Sequence, residues 1–518
     1  MTGIACAVTS KAAFHRVSPN NCHEIVSIEN RSHIPRSSND IRKLLNGLAE
    51  LEFSPHDVSP LQKLAEAGSE YGLGVLAKMV APQVLSLLRP QAVRHIKQNL
   101  QKILTRVTRP CYALELDAFR CAYQAIYSQP VFPSRSLIEE KFVGERPYER
   151  LVSLFTKFPV LGQLWCRLIR QWCDAVSEVL GRCDADKHEL SSVFFRGQPV
   201  AEIVNLDGGL SDPHNEGRTV MRVQFQAGSI IYKPRSGDGE QEWFNLVRYL
   251  NAVSFRPKLA AARILCRDGY CWMQEVKSGP CKDETAARRF YKRLGGIIAA
   301  AYLIRAVDCH RDNVIASGEL PVLVDAETLS HPESNNKATS PMDGLAATGF
   351  LPNSDRRSSY QYRSSTLART CPGTHTPYIQ RMPLHAARYE AVILSGFRRA
   401  WTCLIGTKAR HIAFVRRVQR LQRKERRRIH RSTEAYDKIL RASIEPAALR
   451  TRADRHVFIA NSCRRSNVAE PVIRKEIEAL NRLDIPYFVE RSIAELRVPD
   501  HAAVPPEILE ALRCAIRL

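Results

Sequence analysis

The spacing of apolar residues separates a helical first part of the chain from a mixed region that follows. From Ile41 to about Gly181 apolar side chains recur at intervals of three and four, most clearly in Val75–Leu88 and Leu151–Leu180. That interval is the period of an amphipathic helix. Residues 1–40 lack it and are polar and irregular, so we expect a loose N-terminal segment followed by a helical support region over residues 41–189.

Short apolar runs then alternate with turns from about Leu190 to Tyr270, a pattern typical of a small sheet. The β-branched run Ser229–Tyr232 ends in Lys233 and predicts a strand. A second apolar run, Tyr270–Val276, predicts another. We interpret this stretch as the strand-rich lobe of a catalytic core.

Helical spacing returns in Arg288–Arg305, whose apolar centre predicts a buried helix that is too short, and too charged at its flanks, to span a membrane. The core is predicted to cover residues 190–352, and residues 353–518 a helical C-terminal region. His331–Ser340 and Asn353–Tyr378 are rich in polar residues and proline, and we expect them to be surface loops. The fold class that follows is α+β.

Polar residues of two adjacent segments carry the first candidate chemistry. Asp308, His310 and Asn313 form a D-x-H-x-x-N pattern, and an apolar run then leads to Asp325 and Glu327. In phosphoryl transfer, one carboxylate lies near the attacking hydroxyl, while an amide and a second carboxylate hold Mg²⁺. We therefore predict that Asp308 and His310 are catalytic, that Asn313 and Asp325 hold Mg²⁺, and that Glu327 is a further metal or structural ligand. The alternative is that these are ordinary turn residues, because such a short pattern also arises by chance.

Candidate nucleotide-binding residues lie upstream. A lysine at a strand end, such as Lys233, can neutralise charge on a transferred phosphoryl group. We group with it Arg235, in the same I-I-Y-K-P-R-S segment, and Glu275, in the strand expected to pass the adenine. The alternative for Lys233 is a solvated side chain at the end of a strand.

Composition gives limited further information. The 518 residues include 76 Lys and Arg against 53 Asp and Glu, a formal net charge of +23. This balance favours acidic partners such as nucleic acid, ATP or an acidic peptide. The sequence has no helix-turn-helix, zinc-finger or aromatic stacking motif, so we predict no nucleic-acid partner.

Cysteine usage and the chain's first residues indicate a compartment. The 15 cysteines are scattered and form no C-x-x-C pair, which argues against a zinc ribbon or a disulfide framework. Free thiols suit a reducing environment. The first residues do not read as a signal peptide, and no run is apolar enough to be a transmembrane helix. We therefore predict a cytoplasmic protein.

Several segments in a fixed order resemble the dehydratase domain of class II lanthipeptide synthetases, from about Leu151 to about Phe488. The segments are SDPHNEGRTVMRVQFQAGSIIYKPRS, CWMQEVKSGPC, FYKRLGGIIAAAYLI, DCHRDNVIASGELPVLVDAETL and SPMDGLAATGFLP. The resemblance implies a two-lobed, lipid-kinase-like core with large added helical regions. It also implies that ATP and Mg²⁺ are used to phosphorylate Ser or Thr of a ribosomally made precursor peptide with a leader. The same site would then eliminate the phosphate to leave a dehydrated residue.

The resemblance also implies which residues serve the elimination. Asp212 and His214 match the family's elimination residues in a G-D-x-H-N-x-G-R pattern, although Ser211 replaces the usual glycine. Arg427 and Thr433 match residues tied to phosphate elimination, and Arg431 is a further candidate phosphate ligand. Without the family, Asp212 reads equally well as a cap of a polar turn. Each arginine also reads as one of many in a basic stretch.

The C-terminal part of the sequence shows no grouped Cys and His ligands of the kind a zinc-dependent cyclase needs. We therefore expect no cyclase activity, and either a separate cyclase partner or a truncated reading frame. Two other functions stay open at this point. One is a plain kinase that stops at phosphorylation, and the other is a non-catalytic remnant that binds peptide.

Overall fold

The computed structural model describes residues 39–49, 59–127, 134–144, 147–330, 341–351, 376–464, 468–490, 498–499 and 502–517. Nearly all of the predicted loose segment 1–40 lies outside these residues. The same holds for the predicted loop His331–Ser340 and for most of Asn353–Tyr378.

Helices dominate the region before residue 195, as the apolar spacing predicts. They are α1 (Asn39–Ala49), α2 (Pro60–Met79), α3 (Pro82–Leu85), α4 (Pro90–Tyr127), α5 (Arg135–Val143), α6 (Pro147–Lys157), α7 (Pro159–Ala185) and α8 (Lys187–Phe194). Gly68 lets α2 approach α4 and α7 closely, because a Cβ there would collide with Leu104 and Trp165. The buried Trp165 indole donates to Thr108 Oγ1 at 2.9 Å, so its polar atom is satisfied within the core.

An antiparallel sheet of five strands follows. Its strands, and the helix that connects the third to the fourth, are β1 (Ile203–Asp207), β2 (Met221–Phe225), β3 (Gly228–Lys233), α9 (Asp238–Ala252), β4 (Ile264–Arg267) and β5 (Tyr270–Gln274). The strand order is β1-β2-β3-β5-β4. Side chains alternate across the sheet. Tyr232 and Trp272 pack on the helical support region, whereas Ile231 and Met273 pack on the core that contains α9. The predicted strands at Ser229–Tyr232 and Tyr270–Val276 are confirmed, the second ending two residues earlier, at Gln274.

The second core forms around two helices that pack closely against each other. The elements of this part are α10 (Glu284–Leu303), β6 (Val314–Ser317), β7 (Leu320–Leu323), α11 (Pro341–Ala347), β8 (Tyr378–Ile379), β9 (Met382–Pro383), α12 (Glu390–Ile405), α13 (Lys408–Gln422), β10 (Arg426–Arg428), α14 (Thr433–Ala442), α15 (Arg452–Arg464), α16 (Glu470–Asn481), β11 (Phe488–Glu490) and α17 (Pro506–Arg517). Gly295 and Gly396 allow α10 and α12 to touch, because a Cβ at either would collide with a carbonyl oxygen of the other helix.

The predicted helix Arg288–Arg305 is confirmed with shifted ends. It begins four residues earlier because Asp283 caps it, accepting from Ala286 N at 2.7 Å. Within the described ranges, no helix combines the length and the apolar character needed to cross a bilayer.

Asp186, between α7 and α8, joins the helical support region to the sheet. Its buried carboxylate accepts from Trp272 Nε1 at 2.7 Å, Tyr270 Oη at 2.8 Å and Arg267 Nε at 2.9 Å. These donors lie more than 80 residues away along the chain. This one side chain therefore connects two layers of the fold.

Replacing Asp186 by Ala should lower the free energy of unfolding by about 3 kcal/mol, because it leaves the buried Trp272 N–H without an acceptor. Urea unfolding followed by tryptophan fluorescence measures the change. Asp184→Ala is the control, since Asp184 forms a surface pair with Lys187 and is 42% exposed. It should cost less than about 0.5 kcal/mol. Equal losses in the two variants would show that Asp186 does not join the layers.

Candidate active site

A polar cleft opens between the β1–β2 loop, the ends of β3 and β7, and the C-terminal helical region. It holds about 450 Å³, a volume within the range of small-molecule sites. Most of the residues predicted from the sequence line it: Asp212, His214, Arg235, Asp308, His310, Asn313, Asp325, Glu327, Arg427 and Thr433. Residues up to 221 positions apart in the chain, from Asp212 to Thr433, therefore share one cleft.

Lys233 ends β3 and lies behind the wall of this cleft. Its Nζ donates to Glu240 Oε1 at 2.7 Å, to Val324 O at 2.8 Å and to Asp325 Oδ1 at 3.2 Å. An ammonium group has three donors, so these acceptors use them all. Burial lowers the pKa of Lys233, but Asp325 and Glu240 more than offset this and raise it above its usual value. Lys233 is therefore a charged anchor for two carboxylates.

Arg235 is the centre of the buried charges. Its guanidinium donates to Glu240 Oε1 at 2.6 Å, contacts Asp325 Oδ1, and lies 2.7 Å from Glu327 Oε2 through Nε. Burial opposes the charge, yet Glu240 and Glu327 hold the pKa of Arg235 well above its usual value. In turn, Arg235 and Lys233 outweigh the effect of burial on Glu240 and depress its pKa. Each charge in the cluster thus depends on the others.

Asn313 and Asp325 are brought together by the β6–β7 hairpin. Val324 N donates to Asn313 O at 2.8 Å, immediately beyond the paired strands. The Asn313 side chain donates from Nδ2 to Asp308 O at 2.8 Å. That bond uses the amide nitrogen, which leaves the amide oxygen as the atom available to a cation.

Asp308 is held in a strained conformation in the loop between α10 and β6. Its φ is 63°, in the left-handed region that non-glycine residues rarely adopt. His310 Nδ1 accepts from Asp312 N at 3.2 Å, which assigns the ring proton to Nε2, 3.4 Å from Asp308 Oδ1. Burial raises the pKa of Asp308 to about 6, although His310 and Arg427 act against it.

Glu327 and Arg427 are joined through both main chain and side chain. Arg427 N donates to Glu327 O at 2.8 Å, and Arg427 Nη1 donates to Glu327 Oε1 at 2.6 Å. Tyr487 Oη donates to the other carboxylate oxygen at 3.1 Å. Burial alone would raise the pKa of Glu327, but Arg235 and Arg427 hold it at about 2. Glu327 is therefore ionised and bound on both oxygens.

Asp212, His214 and Thr433 also line the cleft. Burial raises the pKa of Asp212, with Arg427 acting against the shift. Burial and the nearby Arg427 lower the pKa of His214 to about 4, so its ring is neutral at pH 7. Thr433 begins α14, after Ser432 caps the helix by accepting from Ala435 N.

Besides Lys233, two predicted residues do not line the cleft. Arg431 forms a pair of bonds to the buried Glu476, at 2.8 and 2.7 Å, in the C-terminal helical region. Glu275, directly after β5, lies 2.8 Å from Arg222 Nε on β2 of the same sheet. In this arrangement neither side chain faces the groups gathered around Arg235.

Sequence reasoning missed Glu240 and Tyr487. A signal for Glu240 does exist, because at helical spacing it falls on the same buried face of α9 as Trp243, Phe244 and Val247. A carboxylate on an apolar helix face needs a buried cation, and Lys233 lies seven residues earlier. Tyr487 carried no such signal, since its partner Glu327 is 160 residues away.

The donor set can be compared with what Mg²⁺ requires. Mg²⁺ prefers oxygen and is usually held by one or two carboxylates, with phosphates and water completing the shell. Asn313 and Asp325 fit that role. Both oxygens of Glu327 are already bound to protein cations and Tyr487, so Glu327 does not fit as a ligand here. The described part of the chain contains no group of three or more His, Cys, Asp or Glu placed to form a complete cage.

Comparison with known proteins shows the family to which the chain belongs. The chain belongs to the family described as a domain of unknown function, DUF4135, which matches residues 158–374 and 365–491. The cleft residues from Asp212 to Tyr487 lie within these matches.

The chain is also similar to the lacticin 481/lactococcin biosynthesis protein LcnDR2 of Lactococcus lactis subsp. lactis. The two are 22% identical over 381 residues, which cover 64% of this chain and 40% of that protein. The chain thus spans less than half the length of this relative.

Replacing Asp308 by Asn should stabilise the protein at neutral pH. The pKa of Asp308 is raised from 3.8 to about 6 in the fold. The folded state therefore retains a proton that the unfolded state loses between about pH 4 and 6, so stability falls as pH rises through that window. Because the side chain is 32% exposed, we discount the shift and expect a gain of about 1–2 kcal/mol above pH 6.

Urea unfolding at pH 4.5 and pH 7.5 tests this, with the gain growing toward the higher pH. Asp312→Asn is the control, since Asp312 is on the same loop and 54% exposed. A variant that is less stable than wild type at pH 7.5 would contradict the stated cost of the Asp308 charge.

Proposed function

We propose that this chain dehydrates Ser and Thr residues of a ribosomally made precursor peptide, using ATP and Mg²⁺. The hydroxyl is first phosphorylated and the phosphate is then eliminated in the same cleft. The similarity to a lacticin 481 biosynthesis protein supports peptide modification in this class of pathway. The lipid-kinase-like character of the core and the precursor's leader are part of the same proposal.

The observation that carries the proposal is the double link between Glu327 and Arg427. One bond joins their main chains at 2.8 Å and another joins their side chains at 2.6 Å. Glu327 also contacts Arg235, which is bound to Asp325. The groups assigned to phosphorylation and the arginine assigned to elimination are therefore connected through two intervening side chains. Two separate sites would not need this connection.

The phosphorylation half requires a base near the substrate hydroxyl. Asp308 takes the proton of that hydroxyl. The hydroxyl oxygen of the substrate attacks the terminal phosphorus of ATP, and ADP leaves. A pKa of about 6 suits a carboxylate that must act near neutral pH. His310 lies beside Asp308 and orients it.

Asn313 and Asp325 would hold Mg²⁺, which supplies neutralisation of negative charge on the phosphate oxygens. Arg235 and Lys233 fix Asp325 for this role. Lys233 itself would meet a phosphate only by exchanging one of its bonds to Asp325 or Val324.

The elimination half requires a base for the α-proton and a cation for the leaving phosphate. Asp212 and His214 supply the base, and the ring of His214 is neutral and able to accept a proton. The electron pair of the broken Cα–H bond forms the Cα=Cβ double bond. The Cβ–O bond breaks, and phosphate leaves with that oxygen toward Arg427 and Thr433.

Two substitutions should separate the halves. Asp325→Asn should abolish both phosphorylation and dehydration, because it removes a charge that binds the cation and balances Lys233 and Arg235. Arg427→Ala should instead let phosphopeptide accumulate, with elimination slowed about 100-fold by the loss of one charged phosphate ligand. Mass spectrometry of a precursor peptide encoded near this gene distinguishes the two products.

Arg428→Ala is the matched control for Arg427. Arg428 is the next residue of β10, is 39% exposed and pairs with Glu490 outside the cleft. It should give dehydrated peptide at the wild-type rate. Dehydrated peptide formed at that same rate by the Arg427 variant would remove Arg427 from the mechanism.

A further inference from the structure

A short segment near the end of the described chain contacts the elimination side of the cleft through three of its residues. It comprises Asp484, Ile485, Pro486 and Tyr487, and we refer to it as the 484–487 segment. The cleft residues that it contacts, in the β1–β2 loop and at Glu327, lie more than 150 residues earlier in the chain.

Asp484 holds a strained turn in the β1–β2 loop. Asn215, Glu216 and Gly217 have φ values of 46°, 70° and 75°, so three successive residues adopt the left-handed conformation. Two of them are not glycine, which makes the turn costly by itself. Their N–H groups form a concave site for an anion. The Asp484 carboxylate fills it, accepting from Glu216 N and Gly217 N at 2.8 Å each.

Ile485 fixes the position and proton of His214. Ile485 N donates to Pro213 O at 2.8 Å, and Ile485 O accepts from His214 Nδ1 at 2.7 Å. Because a carbonyl can only accept, Nδ1 carries the proton. Nε2 is therefore the ring nitrogen that can take a proton from a substrate.

Tyr487 contacts the groups that position Arg427, the arginine proposed to bind the leaving phosphate. Its hydroxyl donates to Glu327 Oε2 at 3.1 Å, and Glu327 Oε1 accepts from Arg427. The Tyr487 ring lies 5.3 Å from the His214 ring and 5.3 Å from the Arg427 guanidinium. One phenol thus contacts the base, the arginine and the carboxylate that holds the arginine.

We infer that the 484–487 segment is the positioning element of the elimination half. Asp484 and Ile485 set the turn and the tautomer of His214, and Tyr487 sets the Glu327–Arg427 pair. This inference rests on the proposed function for its catalytic consequence. The geometry of His214 can be tested without any activity.

Tyr487→Phe is the central variant, because it removes one hydroxyl and retains the ring. Loss of a hydrogen bond to a charged partner should lower the ratio of elimination to phosphorylation about tenfold. The effect should lie in kcat rather than KM, and phosphopeptide should build up. Mass spectrometry of the precursor peptide follows both products.

Tyr436→Phe is the matched control. Tyr436 is buried in the C-terminal helical region, and its hydroxyl, like that of Tyr487, donates to a glutamate, here Glu476 Oε1 at 2.6 Å. Its loss should lower the melting temperature without changing the ratio of the two products. If Tyr487→Phe and Tyr436→Phe give the same ratio, the role of Tyr487 is only structural and the inference is overturned.

A second arm uses the protein without ATP or peptide. In ¹⁵N-histidine-labelled protein at pH 7, His214 should show a ring Nδ1–H signal that exchanges slowly with water, assigned by its loss in His214→Gln. Asp484→Asn keeps the size of the side chain but can accept only one of the two N–H groups. It should speed this exchange at least tenfold, whereas Tyr436→Phe should not.

The two arms separate the claims. An absent or rapidly exchanging Nδ1–H in wild type overturns the positioning inference whatever the activity. A slow Nδ1–H in a protein that neither phosphorylates nor dehydrates the peptide leaves the geometry supported and overturns the proposed function.

Discussion

The guanidinium of Arg235, shared among Glu240, Asp325 and Glu327, is the interaction on which the site depends. Burying charges is costly unless each one is paired, and removing one partner leaves the others uncompensated. Lys233 completes the cluster on the sheet side, and Arg427 completes it on the C-terminal side. Strand β3, the segment after β7 that carries Asp325 and Glu327, and strand β10 cannot shift independently without unpairing a buried charge. The cleft is therefore defined by electrostatics as much as by its apolar surroundings.

Strained backbone also lies next to these charges. Asp308 and the turn at Asn215 and Glu216 adopt left-handed conformations at two edges of the cleft. Each is held by contacts from distant parts of the chain. Cys309 N bonds to Thr348 O, and the turn is bonded to Asp484. Such conformations persist only where the surroundings over-determine them, and here they direct polar side chains into one space.

Local sequence patterns predicted the strands and helices that carry the site residues better than they predicted which side chains those residues contact. The strand ending at Lys233 and the helix α10 follow from apolar spacing and are present. Asp308, Asn313 and Asp325 lie near one another because a single hairpin joins them. Arg427 and Arg431 could not be separated by sequence. Which of the two arginines lines the cleft depends on the pairing of β10 with β11 and on the distant Glu476. Neither contact can be deduced from the local sequence.

A time course with enzyme in excess over a precursor peptide, followed by mass spectrometry, tests most directly whether one cleft performs both steps. If one cleft performs both steps, a phosphate-bearing peptide appears first and then declines as the peptide lacking one water replaces it. A phosphate that persists to the end of the reaction, with no loss of water, would contradict it.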